Sequence, residues 1–184
     1  MILLIHEVYG VTKNLLLLKA FLENNGFAVA CPSLYPDGYV GASEQESYTR
    51  FFTEIGFDAA TKAIQTIIEE NQNQTITVVG FSVGATIAWT LSENPAIHKI
   101  IGIYGSRIRH CLDVEPVVQT DLLFVEESSF NVHELMDKIA KKHHVRANLI
   151  DGTHGFYSKL PFESRIIQEL NTRILKMVEH PPSL

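Results

Sequence analysis

The sequence predicts a three-layer α/β/α domain built on a mostly or wholly parallel sheet of about six strands. Three observations predict it. Short apolar runs rich in β-branched residues recur along the chain, and segments with helical three- and four-residue spacing lie between them. The runs are continuously apolar instead of alternating, as strands covered on both faces are.

The first run is residues 2–5, placed directly after Met1. A chain that enters through what looks like a central strand implies a sheet reduced at its N-terminal side. Leu15, Leu18, Phe21 and Leu22 form the first helical stripe, and Asn25-Gly26 ends it. Residues 28–31 give the second strand. Residues 32–41, a cluster of Pro, Gly, Ser and Asp, predict a loop over one end of the sheet. Ala60, Ala63, Ile64, Ile67 and Ile68 make the second stripe. Residues 75–79 form the third strand, followed by a helix opening at Ala85, carrying Ile87, Ala88 and Leu91, and stopped by Glu93-Asn94-Pro95. Strands at 100–104 and 122–125 follow, then the stripe Leu135, Ile139 and Ala140, and a strand at 147–150. Pro161 can open the last helix, whose stripe is Ile166, Ile167, Leu170, Ile174 and Met177. The whole chain, 1–184, reads as one domain with a frayed tail at 180–184.

Composition narrows the function classes. The formal net charge is −6, with no basic stripe, which argues against nucleic acid or an anionic membrane as partner. Lys138, Lys141 and Lys142 read as the solvated end of a helix. Cys31 and Cys111 lie far apart without metal-ligand spacing and read as free thiols. The N-terminal apolar stretch is too short for a secretory signal and no run reaches membrane-span length, so a cytoplasmic location is expected.

The strongest chemical signal is Gly80-Phe81-Ser82-Val83-Gly84, between a strand and a helix. In that context Gly-x-Ser-x-Gly is the nucleophile elbow of the α/β-hydrolase fold. Side chains at the two glycines would collide with the neighbouring strand and helix. The turn lifts the Ser82 hydroxyl to a helix N-terminus, where the Val83 N–H can face an oxyanion. The competing reading is a tight turn that merely prefers glycine. His154, in Asp151-Gly152-Thr153-His154-Gly155-Phe156, follows the last strand and should reach the same sheet end as Ser82, as its base. His98, His110, His133, His143, His144 and His180 instead read as surface histidines on turns. The acid is expected after the strand at 122–125, where Glu126-Glu127-Ser128-Ser129 offers Glu127 or Glu126. Asp151 reads as a brace for its own turn. Glu7, at the end of the first strand, is either an active-site carboxylate beside the Val8 N–H, a second oxyanion donor, or a charge for the helix after Thr12.

His6-Glu7-Val8-Tyr9-Gly10, Ala30-Cys31-Pro32-Ser33-Leu34-Tyr35, the elbow, Tyr104-Gly105 and His154-Gly155-Phe156 come in an order that resembles the dienelactone hydrolase family over nearly the whole chain. The resemblance implies an α/β-hydrolase fold, a nucleophile at Ser82, a base at His154 and an active-site glutamate at Glu7. Three departures stand out. The namesake enzymes use cysteine where this chain has Ser82, the expected aspartate aligns with Ser128, and the arginine expected after the histidine is replaced by Tyr157 and Ser158. Dienelactone itself is therefore not the expected substrate.

The expected function is hydrolysis of a small-molecule ester, thioester or lactone through an acyl-Ser82 intermediate, with no metal or organic cofactor required. The alternative is a degenerate hydrolase fold kept as a ligand-binding or interaction module. A nucleotide binder shares the strand–helix alternation but would need a Gly-rich loop after the first strand, where Gly10 stands alone. Tyr35, Tyr39, Phe51 and Phe52 are candidates either to line an acyl pocket or to cover the sheet edge.

Overall fold

The computed structural model describes residues 1–179; the tail expected at 180–184 lies outside the described residues. Six strands form one sheet: β1 (Ile2–Ile5), β2 (Val29–Ala30), β3 (Ile76–Phe81), β4 (Ile97–Ile103), β5 (Gln119–Phe124) and β6 (Val145–Leu149). Their order is β2-β1-β3-β4-β5-β6, and every neighbouring pair is parallel. Parallel strands require crossovers: α1 (Lys13–Asn24) lies between β1 and β2, α2 (Glu44–Arg50) and α3 (Gly56–Glu70) between β2 and β3, α4 (Val83–Thr90) between β3 and β4, and α5 (Val132–Ile139) between β5 and β6, whereas α6 (Phe156–Lys159) and α7 (Arg165–Glu179) follow the last strand.

Alternation along each strand sorts the core into two layers. Ile2 and Leu4 of β1 pack with Leu15, Leu18 and Leu22 of α1 and with Ile167, Leu170 and Ile174 of α7. Leu3 and Ile5 point to the other face and pack with Ile64 and Ile68 of α3 and Ile87 of α4. Leu135 and Ile139 of α5 extend that second layer beneath Leu122 and Phe124 of β5. Full burial of each such side chain contributes about 1.5–3 kcal/mol, which is why the strands read as continuous apolar runs. Among the described residues, no helix is long and apolar enough to cross a membrane.

Several boundaries differ from the sequence expectation, each for a physical reason. The strands β4 and β5 start three residues early, over His98, Lys99 and Gln119 to Asp121, because a buried Lys99–Asp121 ion pair (3.1 Å) lets charged residues occupy the sheet. The final helix begins at Arg165, four residues beyond Pro161, after a turn closed by the Ser164 N–H donating to the Pro161 carbonyl. Helix α4 starts at Val83, two residues before Ala85. Residues 44–55 are helical without an apolar stripe: Ser43 caps α2 by accepting from the Glu46 N–H, and a π-helical turn, Phe51–Ile55, follows. Gly56, at φ 73°, then resets the chain for α3.

Candidate active site

The parallel arrangement brings the C-terminal ends of all strands to one edge, and the loops that leave them build the site. The β3 strand pairs with β4 as far as Phe81, and the Ser82 N–H extends the ladder by donating to the Ile103 carbonyl at 2.9 Å. The helix begins at the next residue, so Ser82 alone absorbs the reversal, at φ 52° and ψ −110°. That is a strained conformation for a residue with a side chain. It exists because both flanking glycines permit close backbone approach. A Cβ on Gly80 would stand 2.2 Å from the Gly84 carbonyl oxygen, and one on Gly84 would stand 2.4 Å from that of Ile5. Val83 is the first residue of α4, so its N–H has no acceptor within the helix and stays available beside Ser82.

His154 arrives on the turn between β6 and α6, where Gly152 and Gly155 take φ 124° and 73° and the Phe156 N–H donates to the Thr153 carbonyl. Its Nε2 lies 2.8 Å from Ser82 Oγ. Its Nδ1 lies 2.7 Å from Glu127 Oε1. With Glu127 ionised, Nδ1 carries the proton and donates, which leaves Nε2 to accept from the Ser82 hydroxyl. Of the two candidate acids, the structure brings only Glu127 to the base. Beyond β5, Val125 is buried, Glu126 points out to His133 (3.1 Å) and Glu127 points back in. This is the alternation of an extended chain, and counted from Val125 it separates the two glutamates by sequence alone. Ser128 lines the pocket, and Asp151 is exposed.

Glu7 is buried, 4% exposed, at the end of β1. The Tyr104 hydroxyl (3.4 Å) and the Ser158 hydroxyl both donate to its Oε1. Glu7 is therefore an interior group of the site and not a charge for the N-terminus of α1. Burial pushes its carboxyl pKa up, against the opposing pull of Ser158, His154, Tyr104 and Lys159. The Tyr104 ring also packs on His154, centroids 5.2 Å apart, from a backbone at φ 41°.

The turn that carries Val8 is held from two sides. His6, 1% exposed, accepts from the Leu34 N–H at Nε2 (2.8 Å) and donates from Nδ1 to the Glu7 carbonyl (2.6 Å). Desolvation drops its pKa to about 4, so the ring stays neutral with both nitrogens used. The Tyr35 hydroxyl donates to the Val8 carbonyl at 2.6 Å. Val8 and Val83 both line the cavity that opens onto Ser82 and His154, a space of about 560 Å³.

The aromatic residues facing that cavity are Tyr9 and Tyr48. Tyr35 and Phe51 belong to the core, and Tyr39 and Phe52 pack against it. None of these four lines the cavity onto which Ser82 opens. Sequence reasoning did not single out Tyr9, Tyr48, Glu44, Arg107, Arg109 or Lys159. Of these, Arg107 and Arg109 carried a usable signal, since they follow a strand's C-terminal end. Among the described residues, no group of His, Cys, Asp and Glu is placed to hold a metal ion.

Chemically, the arrangement offers a hydroxyl whose proton can pass to an imidazole already oriented by a carboxylate, beside the Val83 N–H at the start of α4 and with Val8 lining the same cavity. Comparison with known proteins agrees with the fold. A family model described as "Dienelactone hydrolase family" matches residues 1–164. The chain is 34% identical over 161 residues to protein YczH of Bacillus subtilis (strain 168), covering 85% of this chain and 80% of that one. It is 23% identical over 135 residues to carboxymethylenebutenolidase 1 of Cupriavidus pinatubonensis (strain JMP 134 / LMG 1197), covering 67% of this chain and 58% of that one. Among solved structures, dienelactone hydrolase from Anabaena variabilis ATCC 29413 superposes with a TM-score of 0.73 at 14% identity, covering 99% of this chain and 86% of that one.

Proposed function

This chain belongs to the dienelactone hydrolase family, and from that premise we propose that it is a serine hydrolase acting on a small ester, thioester or lactone. The observation that carries the reading is the unbroken hydrogen-bonded line from Ser82 through His154 to Glu127, at 2.8 and 2.7 Å. Ser82 Oγ attacks the substrate carbonyl carbon while His154 Nε2 takes its proton. The carbonyl oxygen becomes an oxyanion received by the Val83 and Val8 N–H groups, and Glu127 stabilises the imidazolium. Collapse breaks the bond to the leaving oxygen or sulfur, which takes the proton from His154. Water then attacks the acyl-Ser82 ester, giving its proton to His154, and the acid departs as Ser82 recovers the proton. Glu7 stands behind the base: with Tyr104 and Ser158 it fixes the floor against which His154 packs. A cytoplasmic location is part of this proposal.

The competing reading, a degenerate fold kept as a binding module, draws on the lack of an aspartate after β5. Glu127 supplies a carboxylate at that position, which favours the hydrolase. The test is intact-protein mass spectrometry after exposure to a fluorophosphonate, with His154→Ala in parallel. Stoichiometric adduct on Ser82, lost in the variant, is the expected result. No adduct under conditions that label a control esterase would refute the proposal.

A further inference from the structure

Strand β6 is an outer strand of the sheet, and its pairing with β5 uses only half of its backbone. The Thr120 N–H donates to the His144 carbonyl at 2.8 Å, and the Ile150 N–H donates to the Phe124 carbonyl at 2.7 Å. In a parallel ladder those bonds fix the even-numbered residues toward β5. The N–H and C=O groups of Val145, Ala147 and Leu149 are thereby turned outward. Among the described residues, none of these outward groups meets a hydrogen-bond partner.

Outer strands are usually guarded against further pairing by proline, a bulge or several charges. Strand β6 contains no proline and pairs with β5 without a register shift, and Arg146 is its single charge. Its side chains divide as its backbone does. Val145 and Ala147 pack against the layer of Leu135 and Ile139, whereas Leu149, on the same face by alternation, is 38% exposed. Arg146 and Asn148 are exposed on the other face.

We infer that β6 is the interface of a homodimer, in which a second copy of this chain pairs antiparallel to it about a two-fold axis at Ala147. The two sheets then run on as one. The edge is complementary to itself. In this register Ala147 faces Ala147 of the second copy, and Val145 of each copy faces Leu149 of the other. Every outward N–H then finds an outward C=O, and the apolar layer continues across the axis. Sliding the strands either way loses a pair, and in one direction sets Arg146 opposite itself, where like charges repel. The charges agree with the centred register. The axis lays the strand end carrying Lys141, His143 and His144 beside the other copy's end, which carries Asp151. The α5 segment, packed over β5 and β6, runs from Glu134 and Asp137 to Lys138 and Lys141, so opposed copies set its acidic half beside its basic half. The inference is independent of the hydrolase reading.

Sedimentation velocity over a concentration series tests it. The wild type should dimerise with a dissociation constant of about 1–10 μM, as a small interface gives. Leu149→Lys removes an apolar pair on both sides of the axis and adds like charges. It should weaken the dimer about 100-fold or more, with an unchanged far-UV circular dichroism spectrum. Ala147→Pro deletes an N–H that β5 does not use, and should do the same. The register is read by Arg146→Cys/Asn148→Cys. These positions face each other across the axis as a non-hydrogen-bonded pair, about 4.5 Å between Cα atoms, within reach of a disulfide. Under oxidation that leaves the wild type and Arg146→Cys alone uncrosslinked, the double variant should run as a covalent dimer on a non-reducing gel. A wild type still monomeric at about 200 μM would overturn the inference. So would a dimer that survives Leu149→Lys and whose double-cysteine variant stays uncrosslinked.

Discussion

Replacing Glu127 by glutamine tests the relay most directly. The carboxylate stands 2.7 Å from His154 Nδ1, with side-chain exposures of 12% and 25% for the two residues. When His154 takes the Ser82 proton, the two charge centres lie about 4 Å apart, which at an effective dielectric near 20 is worth about 4 kcal/mol. Glutamine removes that charge without changing length. It can also turn its amide N–H toward Nδ1, which favours the tautomer that cannot accept from Ser82. About 4 kcal/mol corresponds to about a thousandfold in rate. The loss should fall on kcat and spare KM, because the imidazolium forms only as the reaction proceeds. Initial rates of p-nitrophenol release across a range of ester concentrations separate the two parameters. Glu126→Gln is the matched control: its partner His133 is 63% exposed and Glu126 is 65% exposed. Its removal should change kcat by less than about threefold. A Glu127→Gln enzyme within about tenfold of wild type, or a Glu126→Gln enzyme equally impaired, would refute the assignment.

Three further outcomes follow from the same contacts. His6 has a folded pKa of about 4 against an ordinary 6.5, so between those values the unfolded chain binds a proton that the fold refuses. Stability is then full above about pH 6.5 and falls by about 3 kcal/mol as the pH drops toward 4. Urea unfolding at a series of pH values should show this slope flattened in His6→Gln, and an unaltered slope would assign it elsewhere. Gly84→Ala forces a Cβ to within 2.4 Å of the Ile5 carbonyl and 2.7 Å of the His6 carbonyl. Backbone cannot rotate aside, so the loss should be about 3 kcal/mol or more by urea unfolding, and less than about 1 kcal/mol would contradict the close approach. Tyr35→Phe removes the donor to the Val8 carbonyl. It should cost about 1–2 kcal/mol of stability and lower kcat about three- to tenfold, whereas an unchanged kcat would detach the Val8 peptide from the reaction.

Much of this was legible because the relevant physics is local. The strand centres are apolar runs, the elbow is fixed by sterics within five residues, and His154 is marked by its place after the last strand. What escaped depends on partners distant in sequence. The ends of β4 and β5 carry Lys99 and Asp121, which look like loop residues until they neutralise each other across the sheet. The α2 segment buries only Ser47, so no stripe announced it; it covers the rim of the cavity instead of the core. Glu127 falls between these cases: alternation past Val125 singles it out, but only the fold shows His154 waiting there.

The position of β1 bears on how the molecule assembles. All four of its side chains are buried, yet β2, its sequence-near neighbour, pairs with only two of its residues. The pairing of Ile2 to Ile5 along its full length is with residues 77 to 80, in β3. A growing chain therefore leaves the β3-facing edge of this apolar strand exposed until residues 77 to 80 have been made, and closing so long a loop is an entropic cost met before the contacts reward it. Because Ser82 directly follows β3, the event that pairs β1 along its full length also bends the elbow. Recovery of the reactive hydroxyl during refolding should thus track that one long-range pairing. Such early apolar exposure makes the interval before β3 docks the point at which aggregation competes with folding.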